Sequence, residues 1–122
     1  MLADAFLHAA TVEIRRGRLD EGERLANRLL EVRADDPEGV ALLGMAAYAR
    51  GGEEDVRRAV VILRRAARLD PEDVNILSRL AEALYTARED AEADQVKRRV
   101  DELRAKEAAK TGIGTMEKKP EK

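Results

Sequence analysis

An all-α architecture, an α-α superhelix or solenoid of about six antiparallel helices, follows from the spacing of apolar and small residues in this chain. Phe6, Ala9 and Ala10 return 34 residues later as Val40, Leu43 and Gly44, and 37 residues after that as Leu77, Leu80 and Ala81. A second series, Gly22, Leu29 and Val32, returns after 37 residues as Ala59, Ala66 and Leu69, and after 34 more as Ala93, Val100 and Leu103. Both series sit on faces with helical periodicity, so the repeating unit is a pair of amphipathic helices. A period of about 34 residues built from a helix pair marks a stacked array, in which each unit buries its apolar face only against its neighbours.

The first helix is expected from about Asp4 to Arg16, stopped by Gly17, which accepts the left-handed conformation of a helix end. The second runs from about Asp20 to Arg33 and carries Leu25, Leu29 and Val32 on one face. Asp36-Pro37-Glu38 opens the third: Asp accepts from free amides, proline suits the first turn, and Glu complements the dipole. That helix bears Val40, Leu43, Ala47 and Tyr48 and ends near Arg50-Gly51-Gly52. The fourth, about Asp55 to Leu69, has an apolar face of Ala59, Ile62, Leu63 and Ala66. Asp73 caps the fifth, with Leu77, Leu80, Leu84 and Tyr85, and a break near 87–90 precedes the sixth, with Val96, Val100 and Leu103.

The two series disagree about where the longer interval falls, and three extra residues between Tyr48 and Ala59 reconcile them. Arg50-Gly51-Gly52-Glu53-Glu54-Asp55 is their natural host, as a longer loop, an added helical half-turn or a lip on a groove. Units of about 3–36, 37–73 and 74–105 therefore make one domain over 1–105. Residues 106–122 read as a lysine-rich, flexible tail: all six lysines lie at Lys97 or later, and Ile113 and Met116 are the tail's large apolar groups.

Composition narrows the function. Aromatic residues are 2% of the 122, so packing falls to Leu, Val and Ala. Charged residues are 39%, yet they cancel to a net charge of −2, unlike a general binder of nucleic acid. Cysteine is absent, which removes disulfides and thiolate metal sites. The opening Met1–Phe6 shows no basic-then-apolar leader, and no stretch reaches the length of a membrane span, so a cytoplasmic protein is expected. Its alanine and arginine usage has a bacterial style.

The units resemble the tetratricopeptide repeat. Unit two matches through Val40, Leu43-Gly44, Tyr48, Ala59, Leu63, Ala66 and Leu69-Asp70-Pro71, and unit three through Leu77, Leu80-Ala81, Leu84-Tyr85, Ala93 and Val100. Unit one fits through Phe6, Ala9-Ala10, Gly17, Gly22, Ala26 and Leu29 but departs at Glu13, where a core aromatic is expected, and at Ala34, which replaces the late proline. The resemblance implies that the first helix of each unit lines a concave face. It would place Leu7, Thr11 and Ile14, then Ala41, Met45 and Tyr48, then Ser78, Glu82 and Tyr85 in a partner-binding groove, with both tyrosines along one wall. A peptide or helix with apolar anchors suits such a surface. The carboxylate-gripping branch of the family is not matched: Leu7, Thr11 and Leu42 stand at its polar positions, and only Arg79 supplies a cation.

Other constellations carry less. Arg57, Arg64 and Arg68, with Arg58 and Arg65 beside them, form a stripe that reads as a solvated outer surface or a seat for an acidic partner. His8 is the one histidine, too few ligands for a soft-metal site and without a partner for acid-base work. Gly51-Gly52 and Gly112/Gly114 match no phosphate-binding loop, so neither a cofactor nor a catalytic residue is expected. Without a capping helix, Val96, Val100 and Leu103 would remain partly uncovered, an end for self-association or docking. The expected function is therefore a non-enzymatic adaptor for a protein partner. Alternatives are an escort chaperone for a secretion or filament subunit, and an accessory subunit of a larger complex.

Overall fold

A computed structural model describes residues 2–111. Among them are six α-helices and no strand: α1 (Leu2–Arg15), α2 (Leu19–Val32), α3 (Pro37–Arg50), α4 (Glu53–Leu69), α5 (Val74–Thr86) and α6 (Asp90–Thr111). Local chemistry sets the ends. The Asp36 carboxylate accepts from the amides of Glu38 and Gly39 at 2.9 and 3.0 Å, ahead of Pro37 in the first turn of α3. Asp73 does the same for the Ile76 amide at 3.1 Å. Gly17 and Gly51 end α1 and α3 with φ of +82° and +84°. The equivalent position after α5 holds Arg88 at φ +66°, a left-handed conformation without glycine's freedom.

Two expectations are refined. The three extra residues are not a loop: only Gly51 and Gly52 separate α3 from α4, and α4 is 17 residues long against 14 for α2. The insertion is thus nearly one added turn at the start of α4. The domain boundary at 105 falls inside α6, which continues to Thr111, because Ala105, Lys106, Glu107, Ala108 and Ala109 are all good helix formers. The lysine-rich segment from residue 112 onward, with Ile113 and Met116, lies outside the described residues.

Packing follows the repeat. Consecutive helices lie against one another, and α1 also approaches α3, as α3 does α5. Among the described residues no Cα of α2 comes within 8 Å of α4, nor of α4 within 8 Å of α6. Backbones that close up along α1, α3 and α5 but spread along α2, α4 and α6 curve the array, with the first set on the concave side. The core runs along this axis in two blocks. One gathers Ala10, Ile14, Ala26, Leu42 and Ala46; the larger links α3 to α6 through residues such as Val40, Leu63, Leu80 and Leu84. Small residues bring the helices of each unit together: Ala10 and Gly22, Gly44 and Ala59, Ala81 and Ala93 are all buried.

Candidate partner-binding groove

The concave face holds three connected cavities. The first, about 190 Å³, has a floor of Leu7, Ala41, Leu42, Met45 and Ile76 and a rim that includes Thr11, Arg15, Glu38 and Arg79. The second, about 270 Å³, lies between Ile14, Met45, Tyr48, Ala49 and Leu63, with Arg15, Arg79 and Glu82 around it. The third, about 320 Å³, sets Ser78, Ala81, Glu82 and Tyr85 against Lys97, Val100, Asp101 and Arg104 of α6. Arg15, Met45 and Arg79 belong to the first and second, and Glu82 to the second and third, so the three join into one trough.

Each of the nine expected groove residues lines this trough. Their roles differ. Ile14 and Ala41 are 7% and 6% exposed and form floor; Leu7, Thr11, Met45, Tyr48 and Ser78 are half-buried; Glu82 and Tyr85 are open. The Thr11 hydroxyl donates to the Leu7 carbonyl at 2.8 Å and is already engaged with its own helix. The two tyrosines line neighbouring cavities of the trough. Tyr48 lines the second cavity, packs against the main core, and its hydroxyl bonds Thr86 of the next unit at 2.8 Å. Tyr85 lines the third and donates to Asp94 of α6 at 2.6 Å, a bond that, ahead of burial and nearby acids, raises the phenol above its usual range. The difference arises because no further unit follows Tyr85 within the described residues.

The proposed terminal surface is smaller than expected. Val100 is only 4% exposed, tucked against α5, while Val96 and Leu103 are half-buried. The outer arginines are mostly committed. Arg57 holds Glu53 and Glu54, Arg58 holds Asp55, Arg65 reaches Asp35 in the preceding turn, and Arg64 holds Glu89 at 3.2 Å and Glu92 at 2.6 Å. The Arg64 hydrogen bond keeps the Glu92 carboxyl below the usual carboxylate range. Only Arg68 of that stripe makes no ion pair among the described residues. Neutralised in this way, the stripe is a set of braces, several of them between units, and offers little to a polyanion. Glu13, the departure from the repeat pattern, stands 3.4 Å from Arg18. His8 is exposed, and no cluster of metal-ligating side chains occurs among the described residues.

The feature least visible beforehand is the pair Arg15 and Arg79 at the junction of the first two cavities. Helical spacing alone put Arg15 one turn beyond Thr11 and two beyond Leu7; what it hid was that the guanidinium has no ion pair among the described residues.

The chain has the fold of the tetratricopeptide-repeat proteins. It is similar to a mutant O-GlcNAc transferase of Thermobaculum terrenum, with a TM-score of 0.76 and 27% identity over 85% of this chain, which spans just 19% of that enzyme. It is also similar to the type III secretion translocator chaperone SycD of Yersinia enterocolitica. An alternative dimer of SycD gives a TM-score of 0.75 at 19% identity, and SycD in complex with a peptide of the translocator YopD gives 0.73 at 20%; each covers 93% of this chain and 87% of SycD. No family profile and no curated protein sequence matches. These likenesses show the helical-repeat fold. No helix among the described residues is long and apolar enough to cross a membrane.

Proposed function

We propose that this protein is a non-enzymatic binding module that holds a peptide or helix of a partner protein along its concave trough. One observation carries the reading: half-buried Leu7, Met45 and Tyr48 line a surface that remains open although the core beneath it is complete. An apolar floor with a charged rim is the ordinary anatomy of a peptide groove. Half-buried Val96 and Leu103 at the far end are a secondary contact, read out as self-association by sedimentation.

The test is affinity purification of the full chain, followed by titration of the recovered partner against wild type and Met45→Glu. A buried charge in the floor weakens binding at least about tenfold, as loss of a central anchor does. Unchanged affinity, with helicity retained, removes the groove reading. An escort chaperone is the second reading, favoured by the likeness to SycD over nearly the whole of both chains. It requires that the partner be insoluble without this protein and recovered with it at fixed stoichiometry; an adaptor joins partners that are each stable alone.

A further inference from the structure

We propose that the trough selects its partner by an acidic side chain in the interior of the bound segment, held between Arg15 and Arg79 with apolar side chains seated on either side. This rests on the groove reading and specifies its chemistry. The two residues come from α1 and α5, whose Cα atoms do not approach within 8 Å, and both line the first and the second cavity alongside Met45 of α3. Both are exposed and neither makes an ion pair or side-chain hydrogen bond among the described residues. That sets them apart from Arg50, Arg57, Arg58, Arg64 and Arg65, each of which holds a carboxylate.

The acids nearby do not neutralise them. Glu82 lies one turn from Arg79 on α5 and Glu38 lines the same rim as Arg15, yet neither forms an ion pair among the described residues. The Asp73 carboxylate is occupied with the Ile76 amide. Two free guanidinium forks beside an apolar floor of Leu42 and Met45 suit one carboxylate, which accepts paired N–H bonds from such groups. Glu38 and Glu82 also repel additional negative charge, so the fitting segment has a single acid between apolar residues and not an acidic run.

Placement decides between a side chain and a chain terminus. Because Arg15 and Arg79 line both the first and the second cavity, a segment that fills both passes them in mid-length. Its carboxylate there belongs to an Asp or Glu side chain.

The experiment is selection of random twelve-residue peptides against the full chain, displayed in two formats: within a loop, and with a free C-terminal carboxylate. Loop-displayed binders are expected to carry one Asp or Glu flanked by apolar residues, and changing that acid to its amide lowers affinity about tenfold or more. Arg15→Gln with Arg79→Gln causes a comparable loss, and combining it with the amide peptide adds little. Binders sensitive to Met45→Glu but without an enriched acid, or with enrichment that survives loss of both arginines, overturn the proposal and leave the groove reading standing. Recovery of binders only from the free C-terminal format overturns it too. If no format yields binders sensitive to Met45→Glu, the groove reading falls and the proposal falls with it.

Discussion

Replacing Gly44 with alanine adds one methyl group where α3, the middle helix of the trough, crosses α4. A Cβ there would lie 2.6 Å from Leu63 Cγ, 2.8 Å from its Cδ2 and 3.3 Å from Ile62 Cγ2. Carbon atoms rest at about 3.5–4.0 Å, so the helices must part by the better part of an ångström or Leu63 must leave its rotamer. Leu63 is 1% exposed and fixed in the main core, so moving it toward the second cavity gives up its packing there. Overpacking of this kind costs about 1–3 kcal/mol, and the gain in helix propensity from Gly to Ala returns about 1 kcal/mol. The net is a destabilisation of about 1 kcal/mol, which in a domain of this size lowers Tm by about 4 °C. Thermal and urea unfolding followed by far-UV circular dichroism measure it. In a Leu63→Ala background the two nearest atoms are gone and only the milder approach of Ile62 Cγ2 at 3.3 Å remains, so the same substitution should become stabilising by up to about 1 kcal/mol, the limit set by the propensity gain. A stabilising effect in the wild-type background, or one of equal sign and size in both, refutes the close-crossing argument.

Arg88→Gly relieves a side chain held at φ +66° and should raise stability by about 0.5–1 kcal/mol, seen as a higher Tm; an unchanged or lower Tm counts against strain there. Arg64→Gln should cost no more than about 1 kcal/mol at neutral pH, because both of its carboxylates remain in contact with solvent. Glu92 has a folded pKa below its ordinary 4.5, so its contribution is present above that value and fades as pH falls through the folded one; urea midpoints of wild type and variant should converge on acidification. Tyr85→Ala, at an exposed site, should leave the urea midpoint close to that of wild type. Tyr48→Ala should cost more, because it packs on the main core and braces Thr86, and equal midpoints for the two would contradict that placement.

The six helices and their order were legible because the recurrence of small residues, such as Gly44 against Ala81 and Gly22 against Ala59, reports helix crossings directly. The caps Asp36 and Asp73 were legible for the same local reason. Whether three added residues become loop or helix was not, since Glu53-Glu54-Asp55 suits a turn and a first helical turn equally well. The continuation of α6 past residue 105 was obscured because those residues are exposed except for half-buried Ala108, and an apolar pattern is silent where propensity decides. The groove positions were readable once the first helix of each unit was set on the inside. Which charges remain free was not. Arg64 and Arg15 look alike in sequence, and only tertiary placement gives one two carboxylates and the other none among the described residues.

The curvature described above also distributes resistance to unfolding. Among the described helices the backbone of α6 is near that of α5 alone, whereas α3 is hemmed in by α1, α2, α4 and α5. Amide exchange should therefore be slowest in the middle of the array and quicken toward either extremity, in a gradient instead of a single cooperative step. Detachment of α6 would dismantle the third cavity, whose far wall is Lys97, Val100, Asp101 and Arg104, and leave the first and second intact. A ligand seated over Met45 thus depends on the most durable part of the molecule, and one reaching Tyr85 on the part that frays.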